Sequence, residues 1–224
     1  FDDIEVRKAI NLAIDKNKII QLAMNGKGNP IYTNMSPVMS KFLWSAPKEK
    51  ADPQKAKQIL EEKKVLPLKF TLKVPNSSKI YLDTAQSIRE QLKEVGITVD
   101  LEVIEWATWL SDVYTNRKYV ASLAGLAGKM EPDAILRRYT STYSKNFTNF
   151  NNAKYDALIE EAKRTSNEAK QVENYKEAQK ILAEEQAAIF LMDPNTIIAT
   201  EKGLEGFEFY PLPYLNFAKL YFKK

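Results

Sequence analysis

The sequence contains neither cysteine nor histidine among its 224 residues. Without cysteine it can form no disulfide bond and no thiolate metal site. Without histidine it lacks the commonest general base and the commonest metal ligand, so no serine–histidine or cysteine–histidine catalytic arrangement can be built. Catalysis would have to rest on carboxylates, lysine or tyrosine. We therefore expect a protein that is not an enzyme, with no catalytic residues, no metal site and no cofactor.

Long apolar runs are missing as well. No stretch approaches the roughly 20 apolar residues that a membrane-spanning helix needs. The first residues also lack the charged-then-apolar pattern of a signal peptide. Either the protein is cytosolic, or this sequence is cut from a longer precursor.

The sequence has no strong excess of one charge. Lys and Arg total 33 against 29 Asp and Glu, the formal net charge is +4, and the two signs alternate along the chain. A nucleic-acid groove requires clustered positive charge, so we expect no nucleic-acid partner. Apolar residues make up 44% of the sequence, which is enough for a packed core.

The clearest local pattern is a β-α-β unit between residues 68 and 103. Residues 68–74 alternate as a strand, residues 80–95 carry apolar side chains at helical spacing before Gly96, and residues 98–103 alternate again. A strand, a crossover helix and a strand of these lengths imply parallel pairing with a right-handed connection. This unit predicts an α/β fold.

Helices are predicted on both sides of this unit. Asp3, Asp15 and Asp52 are suited to cap the first three helices, and Pro53 occupies a favoured first helical position. Residues 27–50 contain three prolines among apolar and aromatic side chains, which predicts an irregular covering segment. The other expected elements are a short helix from Glu105, a buried strand at 119–126, a short helix from Pro132 to Arg138, longer helices near 152–164 and 167–186, and strands at 188–192 and 197–200.

The end of the chain, residues 201–224, is rich in aromatic side chains. They are Phe207, Phe209, Tyr210, Tyr214, Phe217, Tyr221 and Phe222. An apolar surface of this size is rarely left in water. The segment is therefore expected to cover this domain or to pack on another one.

The strand expected at 119–126 runs into a glycine-bearing loop. Its residues are Gly125, Leu126, Ala127, Gly128, Lys129 and Met130. A phosphate-binding P-loop needs a glycine at position 123 and a Ser or Thr at position 130, and the chain has Leu123 and Met130 there. Loops at the carboxyl ends of strands are nevertheless where α/β proteins bind ligands, so this loop either lines a ligand site or is a plain tight turn.

Aromatic and basic residues near these strand ends are further candidates. Trp106 follows a strand and is able to wall a pocket, whereas Trp109 is expected in the core. Arg137 and Arg138 can meet an acidic ligand group or form surface ion pairs.

Several short motifs, taken in order, resemble the family 5 (peptide and nickel) solute-binding proteins of ABC importers. They are residues 6–15 (VRKAINLAID), 52–57 (DPQKAK), 91–97 (QLKEVGI), 105–106 (EW), 131–133 (EPD), 155–159 (YDALI) and 175–179 (YKEAQ). The motif order is more specific than any one motif, and it extends over nearly the whole chain.

The resemblance implies a type II periplasmic-binding-protein-like lobe with a mixed β-sheet flanked by helices. Residues 1–200 would form the second, ligand-binding lobe, and residues 201–224 would pack back toward a first lobe. Family members are about twice this length, so a first lobe, an export signal and any lipid-anchor cysteine would lie outside this sequence.

The resemblance also implies a function. The protein would be an extracytoplasmic, lipid-anchored monomer that captures a peptide, a peptide-like solute or a metal chelate between two lobes and delivers it to an ABC permease. A non-transport sensor or a chaperone-like peptide-binding module on the same fold is the alternative. A carboxylate-based hydrolase would need two acids that converge on a cleft, and no such pair stands at the predicted strand ends.

Ligand residues follow from the resemblance position by position. Trp106 matches a tryptophan that lines the peptide cleft in peptide-binding members. Gly128 occupies the position where such members have an aspartate that anchors a free amino terminus, and Gly125 that of a frequent tryptophan. The amine clamp is therefore missing, and Lys129 favours an acidic group instead. The predicted ligand-binding residues are Trp106, Gly125, Leu126, Ala127, Gly128, Lys129, Met130, Arg138 and Tyr139.

Overall fold

The computed structural model describes residues 1–210 and 215–223 of the chain. The α-helices are α1 (Ile4–Leu12), α2 (Lys16–Met24), α3 (Pro53–Glu62), α4 (Lys79–Glu94), α5 (Trp106–Trp109), α6 (Pro132–Leu136), α7 (Ala153–Arg164) and α8 (Glu168–Glu184). The strands are β1 (Gly28–Pro30), β2 (Leu68–Pro75), β3 (Ile97–Ile104), β4 (Ala121–Ser122), β5 (Met192–Pro194), β6 (Leu204–Glu205) and β7 (Tyr221–Phe222). A π-helical turn, Leu110–Thr115, continues α5 directly.

The main sheet is parallel and has the order β3-β2-β4. Strand β2 pairs with β3 along its whole length, from Leu68 opposite Ile97 to Pro75 opposite Ile104. Helix α4 connects the two strands, so the predicted β-α-β unit is confirmed. Two short antiparallel pairs, β1 with β5 and β6 with β7, lie outside this sheet. Parallel and antiparallel pairing thus occur in separate sheets, within an α/β fold.

Two hydrophobic clusters hold the fold together. The first lies between helices α1 to α4 and the main sheet, and its most deeply buried side chains include Ile19, Leu60, Val74, Leu92 and Ile97. The second joins α6, α7 and α8, with Leu136, Tyr155, Ile159 and Leu182 among its members. Each fully buried aliphatic side chain stabilises the folded chain by about 1.5–3 kcal/mol.

Three predicted helix caps are confirmed. The side chain of Asp3 accepts a hydrogen bond from the amide of Glu5 at 2.8 Å, and that of Asp52 accepts one from the amide of Lys55 at 2.9 Å. Asp15 caps α2 in the same way. Each cap satisfies an amide that has no partner within its own helix, which contributes about 1 kcal/mol.

The covering segment of residues 27–50 is fastened to α8 by one buried side chain. Gln179 is fully buried; its Nε2 donates to the carbonyl of Phe42 at 2.7 Å, and its Oε1 accepts from the amide of Trp44 and from the hydroxyl of Thr33. Met35 is completely buried in the second cluster. The segment is therefore a packed part of the fold, as its composition predicts.

Arg7 connects the start of α1 to the end of α8. Its guanidinium donates to the carbonyls of Phe1 at 2.7 Å, Asp2 at 2.9 Å, Glu185 at 2.7 Å and Gln186 at 3.2 Å. A planar guanidinium is suited to several acceptors at once. One side chain thus fixes two segments that are distant in sequence.

The later strands differ from the prediction. The buried strand expected at 119–126 is reduced to Ala121–Ser122, and Val120 is 60% exposed. The strand expected at 188–192 lies instead at Met192–Pro194, where β1 supplies its partner. Residues 197–200 form no strand. In each case an apolar run predicts a strand, although strand pairing depends on a partner that the run itself does not reveal.

Candidate functional site

The parallel sheet brings two predicted ligand-binding segments to one edge. Strand β3 ends at Ile104, shortly before Trp106, and β4 ends at Ser122, shortly before the loop of residues 125–130, called here the glycine loop. Because both strands run parallel to β2, their carboxyl ends lie at the same edge. In α/β folds this edge is the usual place for a ligand. Trp106 and the glycine loop together are called here the candidate surface.

Two tryptophans stack at the end of β3. The ring of Trp106 is parallel to that of Trp109, with an interplanar angle of 3° and a centroid separation of 5.0 Å. Trp109 is only 2% exposed, so its predicted core position is confirmed, whereas Trp106 is 40% exposed. Trp106 thus offers an aromatic surface that is supported from below by a buried ring.

The buried ring belongs to a larger aromatic cluster. Phe147 meets Trp109 edge-on at 5.6 Å between centroids, and Tyr114 lies 6.1 Å from Trp109. Tyr119 donates a hydrogen bond to the carbonyl of Phe147, and burial raises the pKa of the Tyr119 hydroxyl. Phe147 and Tyr114 cannot be predicted as part of this site from the sequence, because nothing local links residue 147 to residue 109.

Polar side chains fix the same cluster to the main sheet. The indole nitrogen of Trp109 donates to the hydroxyl of Ser122 at 2.9 Å, and this hydroxyl donates to the carbonyl of Lys73 at 2.9 Å. The ammonium of Lys73 lies 3.0 Å from the carboxylate of Asp112 and 3.5 Å from that of Glu102. The hydrogen bond to Asp112 raises the pKa of Lys73, so the lysine stays charged.

The glycine loop is exposed along its whole length, and its two glycines have different surroundings. A Cβ atom at Gly125 would lie 2.7 Å from the hydroxyl of Tyr81, at the start of α4, so the backbone passes close to that ring. A Cβ atom at Gly128 would have no neighbour within 4 Å. Lys129 is the one ionisable residue between positions 123 and 130.

The two remaining predicted residues lie on the turn after α6. Tyr139 is 6% exposed, packs against Phe190 at 6.4 Å between centroids, and belongs to the second hydrophobic cluster. Burial raises the pKa of its hydroxyl to about 12. The structure thus places the Tyr139 side chain in the core and not on the surface predicted from the sequence, because the turn directs it toward α7 and α8. Arg138 is half-buried, and the neighbouring Arg137 lies 3.7 Å from Asp133.

In the part of the chain that the structure describes, no group of three or more acidic, histidine or cysteine side chains could hold a metal ion. Within residues 1–210 and 215–223, no helix is long and apolar enough to cross a lipid bilayer.

The fold defines a class of protein: a lobe of the periplasmic-binding-protein type. Residues 1–147 match the family model described as bacterial extracellular solute-binding proteins, family 5 Middle. The chain belongs to this family.

Known relatives extend the comparison. The oligopeptide-binding protein AppA of Bacillus subtilis is 29% identical over 233 residues, which covers 94% of this chain and 42% of AppA. Di/tripeptide-binding protein 1 of Pseudomonas aeruginosa is 29% identical over 194 residues, covering 83% of this chain and 36% of that protein. The solved structure of Bacillus subtilis AppA in complex with a nonapeptide superimposes with a TM-score of 0.86 at 28% identity, over 100% of this chain and 48% of AppA. The chain thus spans less than half the length of these relatives.

Proposed function

We propose that the chain is the second lobe of an extracytoplasmic solute-binding protein that captures a peptide or peptide-like ligand and delivers it to an ABC permease. The single observation that carries the proposal is the exposed Trp106 ring, supported by Trp109, beside an open loop at the carboxyl ends of parallel strands. An indole ring contributes a large contact area at little cost in side-chain entropy. The lobe binds and releases its ligand without covalent chemistry.

Its relatives support a peptide ligand. The names of the two curated relatives are those of oligopeptide- and di/tripeptide-binding proteins, and the solved AppA structure contains a nonapeptide. A peptide presents apolar side chains and backbone amides, which suit an indole face and an exposed loop backbone respectively. A first lobe supplies the other half of the cleft, and the two lobes close around the ligand by a hinge.

The charge of the glycine loop limits which chemical groups of a ligand it can bind. The loop has no carboxylate to bind a free amino terminus, and its charged residue is Lys129. The ligand therefore presents an acidic or neutral group to this loop, such as a blocked amino terminus or a carboxylate. Binding of a free peptide amine to a loop carboxylate is not part of the proposal.

The exposed C-terminal segment supports contact with a first lobe. Phe209, Phe217 and Phe222 are each more than 60% exposed, and side chains from residues 197–208 and 215–220 line an open groove of about 440 Å³. The expected Tyr214 lies outside the described residues. Surfaces of this kind are usually covered. We assign residues 201–224 to contact with the first lobe, and any lipid anchor to a part of the protein beyond this sequence.

The test uses the complete gene product purified from its own host. Native mass spectrometry is expected to find bound peptides or peptide-like solutes, and their masses are expected to stay unchanged on incubation. Trp106→Ala should weaken binding of a random nonapeptide pool, and the matched change of an exposed apolar residue on α2, Leu22→Ala, should not. A protein that emerges without ligand and binds no nonapeptide would contradict the proposal.

A sensor or chaperone-like role on the same fold is separated from import by a second measurement. For an importer, deletion of the gene should abolish uptake of the ligand that mass spectrometry identifies. Unchanged uptake together with intact ligand binding would favour the non-transport role.

A further inference from the structure

We propose that Ser122 is a positioning residue that orients the tryptophan pair and joins it rigidly to the glycine loop. The inference rests on the proposed ligand-binding role of the candidate surface and adds what holds that surface in shape. Ser122 itself is half-buried and lies on β4, away from the exposed face of Trp106.

The indole nitrogen of Trp109 depends on Ser122 for its hydrogen bond. With Trp109 only 2% exposed, its N–H group has no access to water and needs an acceptor within the protein. The hydroxyl of Ser122 provides it at 2.9 Å. An indole has a single polar donor, so this bond fixes the direction in which the ring lies in its plane.

A single backbone carbonyl is hydrogen-bonded to both halves of the candidate surface, to the tryptophan pair through Ser122 and to the start of the glycine loop through Leu123. The carbonyl of Lys73, on the central strand β2, accepts from the hydroxyl of Ser122 at 2.9 Å and from the amide of Leu123 at 3.1 Å. The first bond continues to the tryptophan pair, and the second is the last backbone bond before the glycine loop. One backbone atom therefore sets the distance between Trp106 and the loop.

The side chain of Lys73 completes this set of contacts. The ammonium of Lys73 binds Asp112 at 3.0 Å, and Asp112 lies in the π-helical turn that follows Trp109 directly. The Lys73 side chain is only 13% exposed, so the ion pair is shielded from much of the solvent. The helix that carries both tryptophans is thus attached to β2 by its buried ring and by the turn behind it. A surface held in this way is ready for a ligand before the ligand arrives.

The consequence for Trp106 is indirect. Its ring rests flat on Trp109, so any rotation of Trp109 in search of another acceptor removes the support of the exposed ring. The loss of the Ser122 hydroxyl should therefore change the environment of a residue that Ser122 does not touch.

The experiment uses the complete gene product carrying Trp44→Phe, which leaves Trp106 and Trp109 as the tryptophans of this chain. Ser122→Ala should increase acrylamide quenching and shift the emission to longer wavelength, and Ser122→Thr should restore both. The matched control is Ser87→Ala on α4, since the Ser87 hydroxyl is likewise hydrogen-bonded within the protein and accepts from the side chain of Gln91 at 3.1 Å. Unchanged quenching in Ser122→Ala, or an equal change in Ser87→Ala, would overturn the inference.

A double-mutant cycle guards against a general folding defect. Trp109→Phe keeps an aromatic ring beneath Trp106 but removes the N–H group, so adding Ser122→Ala to it should leave Trp106 fluorescence unchanged. An equally large further change in the double mutant would mean that Ser122 acts by some other route.

Binding of the random nonapeptide pool separates this inference from the proposed function. Ser122→Ala should lose about tenfold in affinity, as expected when one buried hydrogen bond is left unmade, and Ser122→Thr and Ser87→Ala should not. Full nonapeptide affinity in Ser122→Ala would count against the positioning role. If the parent protein binds no nonapeptide, the proposed function fails, while the fluorescence of the same variants still decides whether Ser122 positions the pair.

Discussion

At the scale of single residues, the glycine loop shows how one residue type can have two roles. A Cβ atom at Gly125 would lie 2.7 Å from the hydroxyl of Tyr81, so a side chain there requires that ring to shift. Gly128 has open space around its Cα atom, and its backbone conformation is one that other residues adopt without strain. Packing therefore does not explain the absence of a side chain at position 128.

This difference predicts the effect of adding a carboxylate. Gly128→Asp should fold with unchanged stability and should increase the affinity of the complete protein for nonapeptides with a free amino terminus over the same peptides acetylated. The new charge faces open space, where it can pair with an ammonium group. Titration calorimetry with both peptide sets measures the ratio, and Gly128→Asn is the uncharged control. An equal ratio in Gly128→Asp and Gly128→Asn would remove the loop from the amine-binding region.

The buried amine of Lys16 predicts how the free energy of unfolding depends on pH. It is 9% exposed, donates to the carbonyl of Ile31 at 2.9 Å and lies 4.1 Å above the ring of Tyr32. Burial lowers the pKa of Lys16 from 10.5 to about 8, and the nearby Glu49 only partly opposes this. Below pH 8 the amine is charged in the folded and the unfolded chain, so the full cost of burying the charge is present.

Between pH 8 and about 10.5 the folded chain has lost this proton while the unfolded chain retains it. The free energy of unfolding should therefore rise with pH across this window, by an amount on the order of 3 kcal/mol. Lys16→Met should flatten the rise, and Lys18→Met, at an exposed position of the same helix, should leave it intact. Urea unfolding at a series of pH values measures both, and equal slopes in the two variants would contradict the assignment.

Single residues are predicted correctly from the sequence where local spacing determines their position. Trp109 was assigned to the core and Asp3, Asp15 and Asp52 to caps, since local spacing carries that information. Tyr139 is predicted to contact the ligand, whereas its ring lies in the core, because a turn of a few residues does not show toward which helices it faces. The contacts of Ser122 and Lys73 were also missed. Each depends on β2 and β4 being adjacent in space.

At the scale of elements, some helices and strands can be predicted from the periodicity of their own residues. Other strands form only because a distant strand pairs with them. The β2-α4-β3 unit is predicted correctly because its alternation and its helical spacing are both strong. The strands after residue 119 are not, since β4 pairs over two residues and β5 needs the distant β1. Pairing between remote segments has no local signature.

Gln179 tests how the covering segment is held to α8. Gln179→Ala leaves the buried carbonyl of Phe42 and the amide of Trp44 without their present partner, and should lower the free energy of unfolding by about 3 kcal/mol. Glu173→Ala, at an exposed position of the same helix, should change it by less than about 0.5 kcal/mol. Urea unfolding measures both, with hydrogen exchange of residues 33–44 as a local readout. Equal losses in the two variants would mean that Gln179 contributes no more than a surface residue.

At the scale of the whole molecule, the described part of the aromatic C-terminal segment is largely exposed. Phe217 is 69% exposed and Val38 is 86% exposed, yet only Phe217 belongs to the segment that we assign to contact with a first lobe. Both side chains are exposed in this chain. The assignment predicts that substitutions at the two positions will differ in their effect on the stability of the complete protein.

In the complete gene product, Phe217→Ser should lower the free energy of unfolding by about 2 kcal/mol, the cost of exposing a buried phenylalanine. The same change at the other site, Val38→Ser, should have almost no effect. Thermal and urea unfolding of the two variants provide the comparison. If Phe217→Ser is as mild as Val38→Ser, the C-terminal segment does not pack on another lobe.

The bonds of Arg7 also bear on the order in which the chain acquires its structure. The partners Glu185 and Gln186 follow Arg7 by 178 and 179 residues, so ribosomes must synthesise most of the chain before they exist. The β2-α4-β3 unit, by contrast, needs only neighbouring residues. Loops of such length are slow to close, and domains generally fold as units during synthesis. We therefore expect the sheet to form early during synthesis and α1 to be secured only after α8 has emerged.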